Sequence, residues 1–281
     1  MSGRALHFER RGKGPALMIL HGYTGSSGSM RELSQALAGE FETIVPDLPG
    51  HGRSVGRAED GQYAFEHCLR DLVATLESAG HERAHWLGYS MGARLALGCA
   101  VRHPDSVASL VLIGARAGIA DAAARQARRR EDELLARRIE SDGVEAFVDQ
   151  WMAMPLIASQ QRLGAAFVDE QRRTRLANDA HELAASLRGL GPAAQPALFD
   201  ELARVTVPVL LVAGELDRAF VDAGRDLAGR LPAAETLEVA GAGHAVHLEQ
   251  RDAFVRVAMD FLRRASSPVQ ITHSYPDQET A

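Results

Sequence analysis

The chain has 281 residues, of which 46% are hydrophobic and 24% are charged, and these values are typical of a globular protein. This length can bury a large core without disulfides, and the two cysteines, Cys68 and Cys99, exclude both a disulfide scaffold and a four-cysteine zinc site. The formal net charge of −6 argues against bulk binding of nucleic acid.

Short apolar runs predict buried parallel strands at residues 16–20, 43–46, 84–87, 107–113 and 207–213. A weaker strand is predicted at residues 235–239, and an amphipathic edge strand at residues 4–10. Helical periodicity falls between the strands, at residues 30–37, 65–79 and 91–102. This alternation predicts an α/β fold with a mostly parallel sheet flanked by helices.

The alternation stops between residues 116 and 202, where the composition is helical and no strand pattern stands out. One helix is predicted to end at Gly143, a second to cover residues 144–151 before Pro155, and a third to cover residues 172–187. We expect residues 116–202 to form an inserted α-helical lid over the carboxyl ends of the strands, where open α/β folds bind ligands.

Residues 1–115 and 203–265 are then the core, and the polar tail 266–281 is expected to be disordered. The amino terminus has no apolar leader, and the apolar runs are too short to span a bilayer, so we expect a cytoplasmic protein without a membrane partner. No motif for a metal or another cofactor is apparent. The sequence does not fix the oligomeric state, and it is compatible with a monomer.

A reactive serine is predicted at the junction of a strand and a helix. Residues 88–92 read Gly-Tyr-Ser-Met-Gly, the G-x-S-x-G pattern of a nucleophile elbow in the structural context that it requires. The glycines let strand and helix approach closely, and Ser90 then stands at a helix N-terminus, where negative charge is favoured. A simple turn serine is the alternative interpretation.

The base and the acid are expected late in the chain. His244 follows three small residues in a loop, whereas its competitor His247 lies in the following helix and is expected to pack there. Asp217 follows the penultimate strand, and Glu215 comes two residues too early. The order Ser90, Asp217, His244 resembles the catalytic triad of α/β hydrolases.

The loop after the strand at residues 16–20 reads His21-Gly22-Tyr23 and resembles the loop that supplies an oxyanion-hole amide in these folds. Tyr23 and Met91 would give the two backbone donors. We interpret His21 as structural. The run at residues 47–54, D-L-P-G-H-G-R-S, resembles a structural turn of the same fold, and we assign no chemistry to it.

Thirty of the 31 basic residues are arginine, an excess that we attribute to genome composition for the most part. Arg94 is a candidate for a specific function, because it lies one helical turn after Ser90, near the wall of the predicted site. A buried guanidinium needs an anionic partner. A protein carboxylate and a substrate carboxylate are the two alternatives.

The motifs of core and lid together resemble the 2-succinyl-6-hydroxy-2,4-cyclohexadiene-1-carboxylate synthase (MenH) family of menaquinone biosynthesis, within the α/β-hydrolase superfamily. The resemblance rests on residues 88–94, 125–132, 147–156, 172–178 and 186–196. It implies a lyase without a cofactor that eliminates pyruvate from a small tricarboxylate. It also implies substrate binding by Arg94, Arg128, Arg175, Tyr89 and Trp151.

In the mechanism that the resemblance implies, Ser90 acts as a general base, activated by His244 and Asp217. The sequence departs from the family pattern at Ala93, Ile113 and Ala117, where glycine, glutamate and proline are frequent. Two alternatives remain: a carboxylesterase or C–C bond hydrolase that uses Ser90 as a nucleophile, and an inactive scaffold. The intact serine, acid and histidine set argues against the scaffold.

Overall fold

The computed structural model describes residues 3–56 and 63–267. Most of the expected tail, from residue 268 onward, lies outside the described residues. Seven strands form one sheet: β1 (Phe8–Arg11), β2 (Ala16–Leu20), β3 (Glu42–Pro46), β4 (Ala84–Tyr89), β5 (Val107–Ile113), β6 (Val209–Gly214) and β7 (Ala234–Val239). The helices are α1 (Arg31–Leu37), α2 (Phe65–Ser78), α3 (Met91–Arg102), α4 (Ala122–Ala153), α5 (Pro155–Ala158), α6 (Ala165–Leu176), α7 (Ala180–Leu190), α8 (Arg218–Ala228), α9 (Val246–Glu249) and α10 (Arg251–Ser266).

The strand order is β1-β3-β2-β4-β5-β6-β7, and only β1 runs antiparallel to its neighbour. The predicted α/β class and mostly parallel sheet are therefore confirmed. The edge strand β1 is shorter than expected. The weak pattern of β7 follows from its position at the other edge, where most of its side chains remain partly exposed.

Two apolar cores lie on opposite faces of the sheet, because successive side chains of a strand point to opposite sides. In β2, Met18 and Leu20 belong to the core that includes α2 and α3 residues, whereas Leu17 and Ile19 belong to the core that includes α1 and α10 residues. Strand β6 begins one residue after Pro208, which has no amide hydrogen to donate to a neighbouring strand. Cys68 and Cys99 are free and buried.

Helices α4 to α7 lie between β5 and β6 in the chain, and α4, α6 and α7 share an apolar cluster. The predicted break at Gly143 is confirmed, because its φ of 83° interrupts α4. The single helix predicted over residues 172–187 is wrong: α6 ends at Leu176 and α7 begins at Ala180. Asp179 caps α7 by accepting a hydrogen bond from Glu182 N at 3.0 Å, which gives the chain a local reason to start a new helix there.

Candidate active site

Ser90 occupies a strained turn between β4 and α3. Its φ of 53° and ψ of −106° are unusual for a residue with a side chain. The flanking glycines allow this turn, since a Cβ on Gly88 would lie 2.4 Å from Gly92 O and a Cβ on Gly92 would lie 2.4 Å from Leu20 O. Strand and helix therefore approach as the elbow pattern predicts, and Ser90 precedes the first residue of α3.

Ser90, His244 and Asp217 form one hydrogen-bonded chain. The Oγ of Ser90 lies 3.0 Å from His244 Nε2, and His244 Nδ1 lies 2.6 Å from Asp217 Oδ2. The imidazole is almost completely buried, with 3% of its residue surface exposed. With Nδ1 protonated and held by the carboxylate, Nε2 can accept the proton of Ser90, which is the arrangement that makes a serine oxygen basic or nucleophilic.

The two competitors identified in the sequence take other positions. His247 lies in α9 and packs its ring 4.5 Å from the ring of Tyr89. Burial lowers the pKa of His247 to about 3, so its imidazole stays neutral. Glu215 accepts a hydrogen bond from Gly241 N at 2.9 Å and thereby fastens the loop before His244.

The backbone amides of Tyr23 and Met91 are available as donors. Met91 is the first residue of α3 and therefore has no intrahelical acceptor. The amide of Tyr23 donates to no other residue within the described ranges. Both residues line the same cavity as Ser90. The two amides can stabilise negative charge that develops on a substrate oxygen by donating hydrogen bonds to it.

The run at residues 47–54 supports the Tyr23 loop, a function that the sequence did not reveal. Asp47 Oδ1 accepts a hydrogen bond from Ser27 N at 2.6 Å, and His51 Nε2 accepts one from Thr24 N at 3.2 Å. Thr24 has a positive φ of 69°. His21 is structural, as expected: its Nε2 accepts a hydrogen bond from Leu48 N at 2.9 Å.

The triad opens into a cavity of about 340 Å³, a size suited to a small molecule. Its lining is apolar in large part, and it includes Trp151 and Leu135 from α4 and Leu187 and Leu190 from α7. Four arginines also line it, whereas none of its described lining residues is an aspartate or a glutamate: the arginines are Arg94, Arg116, Arg128 and Arg175. This charge pattern favours an anionic ligand.

Arg94 and Arg175 are buried cations that form no ion pair with an aspartate or glutamate among the described residues. Arg94 is 9% exposed and Arg175 is 8% exposed. Arg94 donates to Leu190 O at 2.8 Å and to Gly191 O at 3.4 Å, and burial together with the nearby charge of Arg128 lowers its pKa to about 10. Of the two partners considered for Arg94, a protein carboxylate in direct contact is therefore absent from residues 3–56 and 63–267.

Arg175 is held within α6 by bonds from Nη1 to the backbone and side-chain oxygens of Gln171, both at 2.9 Å. Its Nε is buried without a partner. Arg128 differs because its Nε forms an ion pair with Asp132 Oδ1 at 2.7 Å, and its side chain is 40% exposed. Asp132 thus offsets part of the positive charge at this end of the cavity.

Tyr89 and Trp151 supply aromatic walls. The Tyr89 ring lies 5.3 Å from the His244 ring, and burial raises the pKa of its phenol. Trp151 packs 5.5 Å from the Tyr23 ring. Tyr23 in turn donates a hydrogen bond from its hydroxyl to Leu183 O at 2.8 Å, so the loop that contains Tyr23 is attached to α7.

Among the polar and aromatic residues that line the cavity, three were not predicted as site residues: Arg116, Gln195 and Phe220. Gln195 donates from Nε2 to Arg116 O at 3.0 Å, and the Phe220 ring lies 4.6 Å from the His244 ring. The position of Arg116 just after a strand that ends at the site was the one available signal.

Among the described residues, no group of three or more histidine, cysteine, aspartate or glutamate side chains could hold a metal ion. No helix in the described part of the chain is long and apolar enough to cross a membrane.

Comparison with known proteins gives consistent results. Residues 15–250 match the family profile described as the alpha/beta hydrolase fold. A Bacillus subtilis (strain 168) protein, named as a candidate 2-succinyl-6-hydroxy-2,4-cyclohexadiene-1-carboxylate synthase, is 36% identical over 88% of this chain and 90% of its own. The 2-succinyl-6-hydroxy-2,4-cyclohexadiene-1-carboxylate synthase of Yersinia pestis bv. Antiqua (strain Nepal516) is 33% identical over 90% and 89%.

Solved structures agree. MenH from S. aureus superposes with a TM-score of 0.89 at 28% identity, and the match covers 93% of this chain and 99% of that one. A thermophilic esterase from Thermogutta terrifontis superposes with a TM-score of 0.79 at 23% identity, covering 93% and 94%, and it shows the shared fold alone.

Proposed function

The chain belongs to the 2-succinyl-6-hydroxy-2,4-cyclohexadiene-1-carboxylate synthase family of α/β hydrolases, and on this basis we propose that it eliminates pyruvate from 2-succinyl-5-enolpyruvyl-6-hydroxy-3-cyclohexene-1-carboxylate in menaquinone biosynthesis. The substrate carries three carboxylates, and the product is 2-succinyl-6-hydroxy-2,4-cyclohexadiene-1-carboxylate. The enzyme is a lyase that uses the hydrolase fold without hydrolysis.

The observation that carries this proposal is the charge of the cavity. Four arginines and no acidic side chain line its described surface, and two of the arginines, Arg94 and Arg175, are buried and form no ion pair with a described aspartate or glutamate. An esterase for uncharged acyl chains gains nothing from this arrangement, because burying unpaired charges is costly. A multiply charged acid supplies the missing partners. We assign Arg94, Arg128 and Arg175 to the binding of substrate carboxylates, and Tyr89 and Trp151 to its aromatic walls.

The first chemical step is removal of a proton. Ser90 Oγ takes the ring proton at C2, next to the succinyl carbonyl, and passes its own proton to His244 Nε2, 3.0 Å away. Asp217 stabilises the imidazolium that results, through its 2.6 Å contact with Nδ1. The negative charge reaches the succinyl oxygen, where the amides of Tyr23 and Met91 hold the enolate.

The second step expels the leaving group. The enolate electrons return to form the C2–C3 double bond, the former C3–C4 double bond shifts to C4–C5, and the bond from C5 to the enolpyruvyl oxygen breaks. The departing enolpyruvate receives a proton and tautomerises to pyruvate. No covalent acyl-enzyme forms, so Ser90 acts as a base throughout.

We further propose that residues 116–202 act as a lid over this chemistry. Support comes from α4, α6 and α7, which contribute Arg128, Trp151, Arg175 and Leu187 to the cavity that contains Ser90. We place the reaction in the cytoplasm, where two free buried cysteines, Cys68 and Cys99, would stay reduced.

A parallel assay of the purified enzyme tests the proposal. We expect pyruvate release from the cyclohexene substrate to be rapid and hydrolysis of p-nitrophenyl esters to be slow. Rapid ester turnover without pyruvate release would refute the lyase function and favour the carboxylesterase or C–C hydrolase reading with Ser90 as nucleophile.

Arg128→Ala gives a second test. It removes a carboxylate partner and should raise the KM for the tricarboxylate about tenfold or more, since a charge-assisted hydrogen bond is worth roughly 1.5–3 kcal/mol. The same variant should leave the hydrolysis of an apolar ester nearly unchanged. An equal loss on both substrates would argue against a role in carboxylate recognition.

A further inference from the structure

Arg116 is the fourth arginine of the cavity, and nothing in the family resemblance assigns it a role. It lies three residues after β5, and it lines the cavity together with Ser90 and His244. Its backbone is fixed by the hydrogen bond from Gln195 Nε2 to Arg116 O at 3.0 Å, and Gln195 is 1% exposed. The residue is thus held in place at the wall of the site while its side chain remains exposed.

The guanidinium of Arg116 has an aromatic neighbour and no acidic one. Its central carbon lies 4.6 Å from the centroid of the Phe220 ring, within cation–π distance. Its one hydrogen bond within the described residues is a long contact of 3.4 Å from Nη2 to Ala219 O. No aspartate or glutamate of residues 3–56 or 63–267 forms an ion pair with it. Most of its donors are therefore free for a ligand.

Phe220 connects Arg116 to the triad. The Phe220 ring lies 4.6 Å from the His244 ring on one side and 4.6 Å from the Arg116 guanidinium carbon on the other. The three remaining cavity arginines belong to other elements, namely α3, α4 and α6. The Phe220 ring thus places Arg116 on the histidine side of the cavity.

The proposed elimination needs an acid and an anion holder on that side. Once Ser90 has taken the ring proton and passed its own hydroxyl proton to His244, Nε2 carries the proton that the leaving oxygen needs. The leaving group is a three-carbon enol carboxylate, so its departure next to His244 brings a carboxylate toward Arg116.

Resting on the proposed function, we infer that Arg116 binds the carboxylate of the enolpyruvyl group and holds it beside His244 as the C5–O bond breaks. The electron pair of that bond goes to the leaving oxygen, the oxygen takes the proton from His244 Nε2, and the enol then tautomerises to pyruvate. Arg116 is accordingly a specificity residue for the leaving group, and it is distinct from the arginines that hold the ring and its succinyl arm.

Steady-state kinetics with product inhibition tests the inference. We compare wild type, Arg116→Gln, Arg116→Lys and the matched control Arg129→Gln, which removes one positive charge from an exposed position outside the cavity. In Arg116→Gln, we expect the KM of the substrate and the inhibition constant of pyruvate each to rise about tenfold or more. Inhibition by the cyclohexadiene product should change less than threefold, Arg116→Lys should recover part of the loss, and Arg129→Gln should match wild type.

Unchanged pyruvate inhibition in Arg116→Gln would overturn the inference, as would equal weakening of both products. A wild-type enzyme that releases no pyruvate would instead refute the proposed function. In that event, calorimetric titration of wild type and Arg116→Gln with pyruvate still decides whether Arg116 binds an α-keto carboxylate.

Discussion

His51 holds the backbone of Thr24 from 27 residues away, because its Nε2 accepts the hydrogen bond of the Thr24 amide at 3.2 Å. Thr24 has a positive φ of 69° and directly follows Tyr23, whose amide is proposed to hold the enolate. Burial lowers the pKa of His51 to about 3, so the ring stays neutral and keeps an acceptor nitrogen at physiological pH. The turn at residues 47–54 thus holds the Tyr23 loop in shape, and through that loop it supports the oxyanion site that we propose.

We therefore predict that His51→Leu lowers kcat more than it raises KM. Loss of one oxyanion donor typically costs about 10²–10³ in rate, and displacement of the Tyr23 amide should approach this range. The unsatisfied Thr24 amide should also lower the free energy of unfolding by about 1–3 kcal/mol. Kinetics and urea denaturation measure the two effects. His81→Leu, at a half-buried site outside the cavity, is the control, and a folded His51→Leu enzyme with normal kcat would contradict the prediction.

Asp217→Asn should lower kcat by about 10⁴-fold while the enzyme remains folded, because the amide can hold the wrong tautomer of His244. Glu215→Gln is the matched control two residues earlier, since Glu215 bonds only to the Gly241 amide within the described structure. Pyruvate release under saturating substrate measures both. Similar losses in the two variants would place the acid of the triad in doubt.

Arg175→Gln should raise the KM for the tricarboxylate about tenfold or more, because a buried donor of charge-assisted hydrogen bonds disappears. Removal of a buried guanidinium without an acidic partner should cost little stability, and it can even stabilise the fold. Arg173→Gln is the control on the same helix. Arg173 is 73% exposed and pairs with Glu170 at 2.7 Å, so its loss should change neither KM nor stability. A KM equal to that of wild type in Arg175→Gln would contradict the assignment of Arg175 to carboxylate binding.

Acid should destabilise the enzyme below pH 6.5 through buried histidines. Burial lowers the pKa of His51 and His247 to about 3 and that of His85 to about 4. In the unfolded chain, the pKa of each of these histidines is near 6.5. Between pH 6.5 and 4 the unfolded state therefore binds more protons than the folded state, and stability falls as pH falls. Each such group contributes up to about 1.4 kcal/mol per pH unit.

His85→Gln isolates one of these contributions away from the active site. The His85 ring bridges Ser109 Oγ at 2.8 Å and Ser266 Oγ at 3.0 Å. The variant should lose some stability at pH 7, and its stability should depend less steeply on pH between 6.5 and 4. Urea denaturation at several pH values measures the free energy of unfolding and its dependence on pH. If that dependence is as steep in His85→Gln as in wild type, the prediction is contradicted.

Local patterns in the sequence determined the fold class and the three residues of the hydrogen-bonded triad. Apolar runs of strand length alternate with helical periodicity, and this alternation depends only on neighbours along the chain. Ser90, Asp217 and His244 each follow a strand, and the ends of parallel strands meet at one edge of the sheet. The topology of the sheet therefore brings the serine, the acid and the histidine together. Once the strands and their order are predicted, no further long-range information is needed to place the three residues at one site. The break at residues 177–179 was not predicted, because a helical composition over a long segment does not reveal a single capping residue such as Asp179.

Only the tertiary structure shows which of the thirty arginines line the cavity and which groups surround each of them. Arg94, Arg116, Arg128 and Arg175 lie as far as 81 residues apart in the chain, and their common cavity arises from the packing of α4 and α6 against the core. The sequence could not show that Arg94 meets two backbone carbonyls rather than a carboxylate, or that Phe220 joins Arg116 to His244. Burial and the lack of an ion pair are properties of contacts between distant segments. Those contacts give a few members of an abundant residue type the positions from which we propose that they bind a multiply charged acid.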